Sequence, residues 1–173
     1  VSIGVQSAQA ADLALFGRDH TFAEAVATVA SARQAGFDNL NLDLIYGGPG
    51  QTLEGWKASL KAVLALEPPH LALYALTVEP RTALSVWIER GRIDPPDTDL
   101  AAAMYDAARE RLASTLLQQY EISNWARPGL ESHHNRQYWL NRPFFGFGAG
   151  AYGAMCGVRY CNIRPVSPYI ERI

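Results

Sequence analysis

Apolar positions along the chain follow two alternating periods. Val1, Ile3 and Val5 alternate with Ser2, Gly4 and Gln6, the two-residue period of a strand. A short helix over 8–16 follows, with Ser7 as its cap, and Gly17-Arg18-Asp19-His20 forms a loop. A helix over 22–35 comes next. Thr21 and Glu24 stand at capping-box spacing, Gly36 is its stop, and Val26, Val29 and Ala30 mark the buried face. Residues 39–46 form a second strand, apolar enough to be buried on both sides. Residues 53–66 form a helix capped by Thr52, with Trp56, Leu60, Val63 and Leu64 at helical spacing, and Pro68-Pro69 ends it. A third strand covers 70–78. A short helix over 84–90, a Pro-rich loop and a long helix over 99–117 follow, the last capped by Asp97 and burying Leu100, Met104, Ala108, Leu112 and Leu116.

Strand, helix, strand, helix, strand, helix is the order of parallel βαβ units. The fold class is therefore α/β, with three such units making half a barrel or part of an open sheet. The texture then changes. Residues 119–125 read as one further strand, and beyond them the chain is rich in aromatics and glycine with no helical period. The expected division is 1–118 and 119–173.

In parallel β/α folds, function gathers at the carboxyl ends of strands. Gln6, Asp43 and Thr77 stand at or near such ends, and Arg18 lies in the loop after the first strand. Asp43 shares a strand face with Asn41 and Ile45, and a carboxylate on a covered strand requires a partner. Two readings fit it: a ligand contact made together with Arg18, or a structural cap on a neighbouring loop. The turn Gly47-Gly48-Pro49-Gly50 matches neither phosphate-binding glycine motif and reads as a tight strand-to-helix connection. His133, His134 and Asn135 precede Tyr138-Trp139. An imidazole beside aromatics suits haem iron and a flat macrocycle. Composition alone favours a loop whose Trp and Tyr fill the core.

Composition narrows the classes. Hydrophobic residues make up 49% of the chain, ample for a core, and a net charge of −2 gives no nucleic-acid or polybasic membrane footprint. No apolar run approaches the roughly 18 residues of a membrane span. Cys156 and Cys161 are the only cysteines, too few for a disulfide scaffold or for a 4Fe-4S cluster. A cytoplasmic location is the expectation. The chain opens without Met, directly on a strand, and finishes just after Pro165-Val166-Ser167-Pro168, so it reads as an internal piece of a longer protein.

VSIGVQS, GRDH, NLDLIYGGPGQT, LALYALTVEPRT, YEISNWARPG, HNRQYW and GFGAGAYG, in this order and spacing, resemble the radical S-adenosylmethionine family of oxygen-independent coproporphyrinogen III oxidase and its haem-chaperone relatives. The resemblance covers essentially the whole chain. It implies three βα units of a partial (β/α)6 TIM-like barrel, followed by the start of a C-terminal α+β region. It implies that Gln6, Arg18 and Asp43 contact S-adenosylmethionine, with Ile45 and Thr77 lining the same pocket. HNRQYW matches a motif of the haem-chaperone branch, which implies haem binding by His134, Asn135, Tyr138 and Trp139.

The resemblance further implies S-adenosylmethionine and a 4Fe-4S cluster as cofactors of the full-length parent, and haem as bound cargo. Its partners would be haem or porphyrin and haem-accepting respiratory proteins, with membrane contact only through them. The alternative branch, coproporphyrinogen III oxidase, decarboxylates propionate side chains of its substrate. This chain departs from the family at the cluster: the C-x-x-x-C-x-x-C motif is absent, so no residue here is expected to bind metal. On its own the chain is expected to be inactive, with no catalytic residue. Unpaired sheet edges would make it aggregate or dimerise in isolation.

Overall fold

The structure, a computed structural model, describes residues 1–173. It falls into two compact units, Val1–Glu131 and Ser132–Ile173. The first carries a five-stranded sheet. Strands β1 (Ser2–Gln6), β2 (Asn41–Tyr46) and β3 (His70–Ala75) run parallel, and β5 (Asn124–Ala126) and β4 (Gln118–Gln119) continue the sheet antiparallel, in the order β1-β2-β3-β5-β4. The fold is mixed α/β, and its sheet is open. Between the parallel strands lie α1 (Ala10–Leu15), α2 (Phe22–Gln34) and α3 (Leu53–Leu64). Helices α4 (Ala83–Glu89) and α5 (Thr98–Leu112) separate β3 from β4.

One face of the sheet is leucine-rich. Val5, Leu40, Leu42, Leu44, Leu71 and Leu73 are essentially without solvent contact and form a single core with Trp56, Leu60 and Val63 of α3 and Met104, Ala108 and Leu112 of α5. Each valine, leucine or methionine among them contributes about 1.5–3 kcal/mol by leaving water. Trp56 also donates its indole N–H to the Met104 carbonyl at 2.7 Å, so the largest core residue leaves no buried donor unpaired and ties α3 to α5.

Local capping chemistry is as the residues predict. Thr21 and Glu24 form a reciprocal box, in which the backbone and side-chain groups of Thr21 donate to the Glu24 carboxylate and hold its pKa below the usual range. Thr52 and Asp97 cap α3 and α5. Gly47 takes φ +74°, as a tight turn into α3 requires.

Several expectations are corrected. β2 alternates buried and half-buried positions instead of being covered on both sides, because helices cover only its leucine face. Ser7 does not cap α1. Gln9 holds that position without a side-chain bond, while the Ser7 hydroxyl accepts from the Gln9 N–H and donates to Asp12. On α2 the buried residues are Ala25 and Val29, whereas Val26 is half-buried and Ala30 exposed. The third strand stops at Ala75, and α5 stops at Leu112, leaving Leu116 exposed. The expected strand over 119–125 is broken: residues 120–123 turn between β4 and β5.

The second unit contains α6 (His133–Trp139), an antiparallel hairpin of β6 (Tyr152–Met155) and β7 (Val158–Cys161), and α7 (Val166–Ile170). The Asn162 side chain holds its aromatic-glycine stretch together, donating to the carbonyls of Gly146 and Gly148 at 3.1 and 2.9 Å. No helix of the chain is long and apolar enough to cross a membrane.

Candidate functional site

The face of the sheet opposite the leucines is polar, and strand register lines up its residues. Ser2 pairs with Asn41 and Asn41 with His70, while Gly4 pairs with Asp43 and Asp43 with Ala72. Registered residues of a parallel ladder project to the same side, so these side chains meet across three strands. The Asp43 carboxylate accepts from the Ser2 hydroxyl at 2.8 Å and from the Asn41 amide at 2.7 Å, and that amide also donates to Ser2 at 2.8 Å. The Asn41 carbonyl oxygen lies 2.7 Å from His70 Nδ1, and His70 Nε2 lies 2.8 Å from the Tyr120 hydroxyl. His70 is buried, and desolvation holds its pKa below the usual imidazole range, opposed by the negative charges of Asp43, Glu121 and Glu131. Four residues further along β3, opposite Ile45, desolvation pushes the Tyr74 phenol up, with Asp43 adding to the shift.

Gln6 ends β1 in a left-handed conformation, φ +64°, where the ladder register slips between Gly4 and Gln6. This conformation is costly for a residue with a Cβ. It folds the side-chain amide back over Gly4, where an added Cβ would stand 2.5 Å from Gln6 Nε2. Gly4 therefore leaves room for the Gln6 amide on the same face as Asp43.

The other predicted pocket residues are placed separately. Ile45 is half-buried on the Asp43 face. Arg18 is exposed in the loop after α1, and the bonds that hold Asp43 come from Ser2 and Asn41 instead. Thr77 is exposed beyond the end of β3.

A second polar cluster fixes the loops at this end of the sheet. Gln51 is buried and donates to Asp12 at 2.9 Å and to the Ile45 carbonyl at 3.3 Å. It also accepts from the Gly48 N–H at 2.8 Å. Ser7 donates to the same Asp12 oxygen at 2.7 Å and stands 3.2 Å from Ser59. The loop after β1 and the glycine turn after β2 are thus joined through one carboxylate.

In the second unit, Ser132 caps α6, and its hydroxyl accepts from the Asn135 N–H at 3.3 Å. His134 and Tyr138 lie one turn apart. Their Nε2 and hydroxyl are 2.7 Å apart, and the rings meet edge-on at 4.8 Å. Tyr138 in turn meets Phe144 edge-on at 4.5 Å. Trp139 and His133 are exposed. The expectation of a loop filling a core is overturned: these residues form a helix whose aromatics face outward.

Sequence reasoning passed over Ser2, His70 and Tyr120. Nothing in the local pattern marks them, since a His at the head of an apolar strand acquires partners only through register.

Cys156 and Cys161 are free and exposed, and no group of three or more His, Cys, Asp or Glu residues is placed to hold a metal. The residues present do not fit an iron–sulfur cluster.

No family model matches the chain. Individual proteins do. It is 40% identical over 173 residues to the haem chaperone HemW of Bacillus subtilis, covering all of this chain and 46% of that protein. HemW of Mycobacterium tuberculosis is 38% identical over 99% of this chain and 44% of its own length. The mouse mitochondrial radical S-adenosyl methionine domain-containing protein 1 is 41% identical over 88% of this chain and 35% of its own. Over its full length the chain is similar to proteins named haem chaperone HemW, while spanning slightly under half of their length. Among solved structures, coproporphyrinogen III oxidase of Escherichia coli superposes on 99% of the chain with a TM-score of 0.78. It is 21% identical, so the shared feature is the fold; 42% of that enzyme is covered.

Proposed function

We propose that the chain is part of a haem chaperone of the radical S-adenosylmethionine family, contributing one wall of the cofactor pocket and a haem-contacting helix. The three parallel strands would be the last three βα units of a partial barrel, with the Asp43 face turned toward its interior. There Asp43 would accept hydrogen bonds from ligand hydroxyls and Gln6 would present its amide. Arg18, Ile45 and Thr77 would complete that wall once the ligand is in place. The 4Fe-4S cluster would be held by residues outside this chain, and radical chemistry belongs to that cluster with its S-adenosylmethionine.

The observation that carries the haem reading is α6. His134 is exposed, Tyr138 stands one turn on, and Trp139 lies open to solvent on a helix that fills no core. A porphyrin can stack on such aromatics while His134 exchanges its Tyr138 partner for iron. Asn135 would orient the same turn. Haem-accepting respiratory proteins would be the recipients, meeting the membrane on the protein's behalf. The two free thiols suit a reducing compartment, so we place the protein in the cytoplasm.

Haem titration of the intact protein tests this reading. The expected result is a Soret shift that is lost or weakened by His134→Ala. Unchanged haem affinity in that variant removes His134 from the site. Release of carbon dioxide from coproporphyrinogen by the reduced, reconstituted protein would favour the oxidase reading instead.

A further inference from the structure

The polar chain across β1, β2 and β3 has a direction that its bonding fixes. An ionised carboxylate only accepts, so the Asn41 group 2.7 Å from Asp43 must be the amide NH2. The Asn41 carbonyl oxygen therefore faces His70, and His70 Nδ1 must carry the proton that bridges the 2.7 Å gap. The neutral ring then has a lone pair at Nε2, which takes the Tyr120 hydroxyl proton across 2.8 Å. Every donor points toward Asp43: Tyr120 to His70, His70 to Asn41, Asn41 to the carboxylate, with Ser2 donating to its other oxygen. Protonating His70 would break this order, and its burial resists protonation.

We propose that Asn41 and His70 are positioning residues for Asp43, holding its carboxylate turned so that the remaining lone pairs of both oxygens meet a vicinal diol on the bound nucleoside. The proposal rests on the reading that Asp43 contacts the ribose of the S-adenosyl ligand. Without His70 the Asn41 amide is free to rotate, and rotation would set its carbonyl against the carboxylate. Asp43 would then turn away from the ligand.

The test uses the intact protein, with S-adenosylhomocysteine and its dideoxyribose analogue as probes in calorimetric titration. His70→Leu is expected to weaken the ribose ligand about tenfold, the size of a lost charge-assisted hydrogen bond, and to leave the dideoxy analogue unchanged. His70→Asn places an amide where Nδ1 stands and is expected to restore most of the loss. Tyr120→Phe, which removes the hydroxyl facing His70 Nε2, is expected to weaken the ribose ligand roughly threefold.

Nitrogen chemical shifts of His70 should report the Nδ1–H tautomer, and an Nε2–H tautomer overturns the proposal. Equal losses for both ligands, or no rescue by His70→Asn, reduce His70 to a structural residue and also overturn it. If Asp43→Asn leaves ribose binding intact, the pocket reading itself fails. If Asp43→Asn weakens binding while the His70 and Tyr120 variants do not, only the positioning fails.

Discussion

Gln51 is the residue whose removal the structure prices most directly. It is buried, and its amide serves three groups: the Gly48 N–H at 2.8 Å, the Asp12 carboxylate at 2.9 Å and the Ile45 carbonyl at 3.3 Å. Gln51→Ala leaves the Gly48 N–H unpaired in a buried turn, at a cost of about 1–3 kcal/mol, and takes one charge-assisted bond from Asp12, about 1.5–3 kcal/mol. Water entering the vacated space offsets part of this, so the net expectation is roughly 3 kcal/mol. With a urea dependence of about 2–3 kcal/mol per molar, the unfolding midpoint of the intact protein should fall by about 1–1.5 M. Gln51→Glu keeps the shape but sets a carboxylate against Asp12 in place of a donor, so it should be at least as damaging at neutral pH. A midpoint within about 0.2 M of the parent for either variant would refute the assignment of Gln51 as the link between the two loops.

Other expectations follow from single residues. The folded-state pKa of His70 is depressed, so the unfolded chain binds this proton more readily. The stability that neutral His70 contributes is whole above about pH 6.5 and is lost as pH falls through that value toward the folded pKa, with a slope of at most about 1.4 kcal/mol per pH unit; His70→Asn should remove this component from urea midpoints measured across pH 5–8. Gly4→Ala pushes only the flexible end of Gln6, so thermal stability should change by less than about 0.5 kcal/mol while affinity for S-adenosylhomocysteine drops, as calorimetry would show. Thr21→Ala removes the side-chain half of the α2 capping box, leaves the backbone N–H of that position bonded to Glu24, and should cost about 1 kcal/mol in urea unfolding.

What the sequence made legible was local chemistry. Thr21 with Glu24, Thr52 and Asp97 start helices where their side chains predict, because a cap and its N–H partner are two or three residues apart. The parallel βα order was readable from its two periods. The misreadings have physical causes. α5 ends early because the Ser114 and Thr115 hydroxyls bond back to the Arg111 and Leu112 carbonyls, which closes the helix before Leu116. α6 escaped notice because its residues face outward and carry no apolar stripe to give a period. Asp43 was singled out as a carboxylate needing a partner, but its partners lie 41 residues back, at Ser2, and two residues back, at Asn41. Only strand register joins the first of these to it.

The sheet separates two demands that one surface could not meet. Leu42, Leu44, Leu71 and Leu73 supply burial on the helix side, and nothing polar interrupts them. The opposite face is then free to carry Ser2, Asn41, Asp43 and His70, provided that each polar group satisfies the next. An isolated polar substitution there would leave an unpaired group, so these residues should vary together or not at all. Gln6 sits where the separation ends. The register slip beside it breaks the strict alternation of faces and lets a residue at the strand's end turn back over Gly4. Strain at Gln6 is therefore the local cost of bringing one more polar group back over Gly4, the position of this face that carries no side chain.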